Sequence, residues 1–171
     1  MASMKQDELK EYAASCQALQ QGKRSLLLST LSEAGLPDIS YAPYWQNEQG
    51  EFCIFVSRLA AHTMNLLANP VCSVLFIEDE TESRNLFARE RLSYRCEVEE
   101  AHTDSAGYVS TLDSMEAHLG STIQLLRGLP DFHLFKLKPQ RGSYVVGFGK
   151  AFEVDPVDNS LSHLNVDRLK R

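Results

Sequence analysis

The stretch Ser57-Arg58-Leu59-Ala60-Ala61-His62-Thr63-Met64-Asn65-Leu66-Leu67-Ala68-Asn69-Pro70 joins two apolar, strand-like runs through a short helix that carries a histidine. Phe52 to Val56 precedes it and Cys72 to Ile77 follows it. The pattern predicts a helix from about Ala60 to Ala68 that stops before Asn69-Pro70, because proline drives the residue ahead of it out of the helical region. A strand-to-helix junction bearing Ser57, Arg58 and unpaired amide groups suits an anionic ligand. His62 sits at that junction, and histidine holds a phosphate less firmly at neutral pH than lysine does.

Upstream, Asp7 to Gln21 spaces Leu9, Tyr12, Cys16 and Leu19 three and four apart, an amphipathic helix stopped near Gly22. Ser25 to Leu31 and Ile39 to Trp45 flank a Ser-Glu-Ala-Gly-Leu-Pro turn and read as a hairpin. Another turn, Asn47 to Gly50, leads into Phe52 to Val56.

Downstream, Cys72 to Ile77 is apolar almost throughout, so it is expected to be covered on both faces. Arg91 to Glu99 alternates strictly, the mark of a strand with one wet face. Ser105 to Leu126 reads as helix interrupted near Gly120, with Tyr108, Leu112, Met115 and Leu119 on one stripe. Phe132 to Leu137 and Tyr144 to Phe148 read as two strands parted by Lys138 to Gly142, and Ala151 to Val154 continues past Gly149. From Asp155 onward the tail is polar, with no obvious anchor of its own.

About seven strands joined by hairpin-length turns, with helices inserted between them, predict a mainly β protein: a small antiparallel barrel with added helices. A single domain over 1–171 is expected, with an N-terminal helix to 22, a barrel over 23–154 and a tail over 155–171. Neither GxGxxG nor GxxxxGK[ST] occurs.

Acidic residues outnumber basic ones, 23 against 17, and no basic stripe offsets them, which argues against a nucleic-acid partner. The start, Met1-Ala2-Ser3-Met4-Lys5, lacks the apolar core of a secretion signal, and no apolar run is long enough to span a membrane. Cys16, Cys53, Cys72 and Cys96 stand singly among apolar neighbours and read as buried thiols, in keeping with a cytoplasmic protein.

Ser40-Tyr41-Ala42-Pro43, the Ser57 to Pro70 element, Ile77 to Glu80, Leu86 to Arg89 with Arg91-Leu92, Asp131 to Phe135 and Gly147 to Ala151 occur in order. Together they closely resemble the HutZ/HugZ haem-utilisation family, a branch of the pyridoxamine 5'-phosphate oxidase-like FMN-binding split barrels. The resemblance runs from Arg24 to Val154. It implies a split β-barrel homodimer with ligand sites at the subunit interface. Flavin-binding relatives commonly place a phosphate-contacting lysine where this chain has His62, as the haem branch does.

In the haem branch a tail histidine ligates iron, an aspartate matching Asp131 hydrogen-bonds that histidine from the other subunit, and an arginine matching Arg91 lies near the pocket. The tail departs from this pattern. Where family members that degrade haem present Gly-His-Arg, this chain falls on or near Arg168, whose guanidinium has no lone pair for iron. His163 is the only histidine of the tail and so the candidate iron ligand.

Each candidate residue carries two readings. Asp131, after Leu129-Pro130, either caps a turn or orients a ligating imidazole and raises its basicity as a catalytic partner. Arg89 and Arg91 either hold propionates or a phosphate, or lie solvated beside the acidic Glu78 to Glu82 segment. His62, Arg58 and Ser57 belong to the anion site, while His118 and His133 carry no assigned chemistry.

Three functions follow. One is haem binding in haem-iron utilisation, with an oxygenase that needs an external electron donor. Another is an FMN-dependent oxidoreductase with the phosphate on Arg58, Ser57 and Arg91. The third is a haem carrier or storage protein without turnover.

Overall fold

A computed structural model describes residues 6–164; the expectations for the first five residues and for Arg168 lie outside them. The elements, in order, are α1 (Gln6–Gln21), β1 (Ser25–Leu31), β2 (Pro37–Pro43), β3 (Trp45–Gln46), β4 (Phe52–Ser57), α2 (Ala61–Ala68) and β5 (Val71–Ile77). A 3-10 turn (Leu86–Ala88), β6 (Arg91–Ala101), α3 (Tyr108–Leu119), α4 (Thr122–Leu126), β7 (Phe132–Gly147), β8 (Lys150–Val154) and β9 (Leu161–His163) complete the described chain. The strands run β2-β1-β5-β6-β7-β4-β3 in one sheet, and β8 lies between β7 and β9.

The described residues divide into two compact units. One comprises the residues up to Lys23, Leu75–Tyr94 and those from Gln140 onward; the other comprises Arg24–Val74 and Arg95–Pro139.

In the second unit the register of β1 on β2 sets Leu26 against Ala42, Leu28 against Ser40 and Thr30 against Asp38. Alternation buries Leu26, Leu28 and Thr30 and leaves Leu27 and Leu31 outside. Behind β4 and β7, Cys53, Phe55, Leu112, Met115, Ile123 and Leu134 form a core, with Tyr108, Leu119 and Phe132 packed on it. The stripe read along α3 is therefore its buried face. Gly120, at φ 101°, separates α3 from α4 where the interruption was expected.

In the first unit, Tyr144 and Phe152 are fully buried, and the ring of Tyr12 from α1 stands 5.2 Å from that of Phe152. The Tyr144 hydroxyl donates to the Glu90 carboxylate, and burial then pushes the phenol well above its ordinary range. At Gly142 an added Cβ would come within 2.6 Å of the Tyr94 ring, so only glycine fits between Tyr94 and Val154.

Five expectations are corrected. Residues 132–147 form one strand, without a turn at Lys138 to Gly142. Its first part pairs with β4 (Phe52↔Leu137 to Ser57↔Phe132) and its last with β8 (Gly142↔Val154 to Gly147↔Lys150). Pro139 falls between the two partners, where its missing N–H costs neither ladder a bond.

β5 is buried on alternate residues, Cys72, Val74 and Phe76, so only one face is covered. The run Ile39 to Trp45 is split at Tyr44, because β2 pairs with β1 whereas β3 pairs with β4. The tail has an anchor, since β9 pairs with β8 through Phe152↔His163 and Val154↔Leu161, and nine strands are present among the described residues.

All four cysteines are free and buried, as read from the sequence. Burial pushes the thiols of Cys16 and Cys53 up to about 12, which leaves them protonated and unreactive at neutral pH.

Candidate functional site

α2 has no side-chain cap at Ala60. Its entry is held instead by the Thr63 hydroxyl donating to the Ser57 carbonyl at 2.6 Å and by the Leu59 N–H donating to Ser57 Oγ at 3.1 Å. Asn65 and Asn69, one turn apart, share a face and fasten the helix to the β1–β2 hairpin. Asn65 Nδ2 donates to Thr30 Oγ1 at 2.9 Å and to Asp38 Oδ2 at 2.8 Å. Asn69 Nδ2 donates to the Ser32 carbonyl at 2.9 Å.

On the same helix, His62 Nδ1 lies 2.9 Å from Ser40 Oγ. Its Nε2 is buried and has no hydrogen-bond partner among the described residues. Burial lowers the His62 pKa from its usual value, so the ring is neutral at pH 7 and offers one unsatisfied nitrogen.

The end of β4 meets the start of β7 at Ser57 and Asp131. The Ser57 hydroxyl donates to Asp131 Oδ2, and the Arg58 N–H donates to the Asp131 carbonyl at 2.8 Å. Arg58 itself is exposed. Ser57, Arg58, His62 and Asp131 thus all belong to the second unit, with Ser57, Arg58 and Asp131 joined directly and His62 bonded to Ser40.

Arg89, Arg91 and His163 belong to the first unit. Arg89 Nε donates to the Glu78 carbonyl at 2.6 Å and its Nη1 lies 3.5 Å from Glu80 Oε1. Arg91 Nη1 donates to the Arg89 carbonyl at 2.9 Å. His163 Nε2 is 3.0 Å from the Gly149 carbonyl, which only accepts, so the proton is on Nε2 and Nδ1 carries the free lone pair. The ring meets Phe152 edge-on at 5.5 Å.

One pair escaped the sequence reading. His133 Nδ1 lies 2.6 Å from Glu100 Oε1, both half-buried. The signal was present only as a histidine and a glutamate on separate strands, and nothing local joins residues so distant along the chain.

The residues around Ser57 and those around His163 are separate donor sets, one in each unit. Among the described residues no group of three or more histidine, cysteine or acidic side chains is placed to hold a bare metal ion. Haem brings its own four nitrogens and asks the protein for an imidazole with one nitrogen fixed, which is the state of His163. A flavin phosphate asks for donors, but the Ser57 hydroxyl proton is taken by Asp131, and a carboxylate beside a phosphate repels it.

Residues 13–146 match the pyridoxamine 5'-phosphate oxidase family, so the class is that of the split β-barrels of this oxidase type. Over 151 residues the chain is 38% identical to "Heme oxygenase HutZ" of Vibrio cholerae, spanning 88% of this chain and 81% of that protein. The crystal structure of HutZ, the heme storage protein from Vibrio cholerae, superposes with a TM-score of 0.70 at 36% identity, over 74% of this chain and 89% of that one. Campylobacter jejuni ChuZ gives 0.80 at 25% identity, over 96% of this chain and 65% of that one. The chain belongs to the HutZ family of the pyridoxamine 5'-phosphate oxidase-like fold. No described helix is long and apolar enough to cross a membrane.

Proposed function

We propose that this protein binds haem for haem-iron utilisation and degrades it with dioxygen. The observation that carries this reading is the Asp131 carboxylate, held by Ser57 through Oδ2 while Oδ1 has no partner among the described residues. A carboxylate with one oxygen pinned and one free is suited to accept the N–H of an iron-bound imidazole, fixing its tautomer and raising its basicity. His163 of a second copy of the chain is the proposed imidazole: with Nδ1 on iron, its Nε2–H would exchange the Gly149 carbonyl for Asp131 Oδ1. Arg58, Arg91 and Arg89 are the proposed propionate anchors, with Arg58 the most open to solvent. His62 is proposed to meet the ligand with its unsatisfied Nε2.

When bound, haem supplies the oxygen chemistry, with electrons from an external donor. The chain's part would be to hold the group, orient the imidazole that ligates it and exclude water.

The working unit is proposed to be a homodimer. On the outer face of the β1–β2 hairpin, Leu27, Leu31, Ile39 and Tyr41 are exposed together, Leu27 opposite Tyr41 and Leu31 opposite Pro37. Val71 on the exposed side of neighbouring β5 extends them. A contiguous apolar sheet face of this kind marks an association surface.

Haem titration followed by ascorbate in air tests the reading. A Soret shift on binding, then loss of the Soret band, is expected. A shifted band that persists under ascorbate replaces degradation with carriage, and the absence of any shift overturns haem binding. Asp131→Asn is expected to slow degradation by about 10- to 100-fold, the usual cost of losing the partner of a metal-bound histidine.

A further inference from the structure

We infer that Ser57 is a positioning residue that sets the rotation of the Asp131 carboxylate, an inference that rests on the haem reading above. A serine hydroxyl has one proton and two lone pairs. The Leu59 N–H occupies a lone pair at 3.1 Å, and the proton goes to Asp131 Oδ2. The hydroxyl therefore has no freedom to turn toward a ligand, and its direction is dictated by the backbone of the α2 entry.

Asp131 is constrained from the other side as well. Its carbonyl accepts the Arg58 N–H at 2.8 Å, while Ser57 pairs with Phe132 in the β4–β7 register. Backbone and carboxylate are both tied to consecutive residues of one strand end. Thr63 adds a further tie by donating to the Ser57 carbonyl at 2.6 Å, so the geometry of Ser57 is itself fixed by α2. The result is a chain of bonds, α2 to Ser57 to Asp131, that leaves Oδ1 as the single presented acceptor.

Read from the sequence, Ser57 belongs to an anion site, because a strand-to-helix junction with Ser57, Arg58 and exposed amide groups suits an anionic ligand. The bonds in place give it a different task. Without the hydroxyl, Oδ2 has no donor, the carboxylate can swing about its side-chain bond, and its hydrogen bond to an iron-bound imidazole weakens. A weaker acceptor lowers the basicity of that imidazole, which makes iron easier to reduce.

The test uses the haem-loaded full-length protein and four forms: wild type, Ser57→Ala, Ser57→Thr and Asp131→Asn. The readouts are the ferric/ferrous midpoint potential and the iron–imidazole stretching band of the ferrous form in resonance Raman spectra. Asp131→Asn is expected to raise the potential and lower the stretching frequency. Ser57→Ala is expected to move both in the same direction by a smaller amount, and Ser57→Thr to return both toward wild type.

Unchanged values in Ser57→Ala beside shifted values in Asp131→Asn overturn the positioning role, as does a shift of opposite sign. Absence of any iron–imidazole band in wild type instead overturns the ligation reading on which the inference rests. Thermal melting of each variant separates a positioning effect from loss of fold, since Ser57→Ala removes only one oxygen from a half-buried side chain.

Discussion

At the scale of single residues, His62 combines a buried, unpartnered Nε2 with a neutral ring. Its pKa is depressed in the folded state, so the unfolded chain binds the proton more readily. Stability from this group is therefore complete above the ordinary histidine value of 6.5 and falls as the pH drops toward the folded pKa. Urea unfolding of wild type from about pH 8 to about pH 5 should show this decline, and His62→Gln should flatten it. Equal slopes in the two proteins would remove the burial argument. His62 was identifiable in the sequence as the odd residue of its motif, but its partner Ser40 was visible only as part of a separate motif. The two are joined by the packing of α2 over β2, which no local pattern encodes.

Among the elements, α2 is short and uncapped, so its place depends on side chains that reach the hairpin. Asn65 is 7% exposed and satisfies Thr30, itself 1% exposed. Replacing Asn65 by Ala strands the Thr30 hydroxyl and is expected to cost about 1–3 kcal/mol, read as a lowered urea midpoint with unchanged slope. A cost near zero would mean that water takes the place of the amide. The helix was legible because its apolar spacing and the Asn-Pro stop are local features. The continuity of β7 was not, because Pro139 reads as a breaker until its two successive partners, β4 and β8, are known. β9 escaped for a similar reason: Leu161-Ser162-His163 has too little pattern to declare a strand, and it becomes one by pairing with β8.

For the whole molecule, the exposed apolar face on β1, β2 and β5 predicts association of two copies. Light scattering should give twice the 19.2 kDa chain mass for wild type. Ile39→Asp, at a side chain 79% exposed, should yield monomer without loss of fold. Leu125→Asp, at an apolar site of α4 that is 75% exposed, should leave the dimer intact. A monomeric wild type would refute the dimer, and a dimeric Ile39→Asp would place the contact on another surface.

The chain by itself determined its class of fold. Alternating apolar residues, turn clusters and helical inserts each follow from the local geometry of strand and helix, and their order matched a single family. Tertiary structure alone decided which donors are spent and which remain. Whether Ser57 faces a phosphate or Asp131, whether Arg89 is open or bonded to Glu78 and Glu80, and whether His133 meets Glu100 all turn on distances between residues remote in the chain. Hydrogen bonds depend on such distances to within a few tenths of an ångström, and only the packed strands and helices set them.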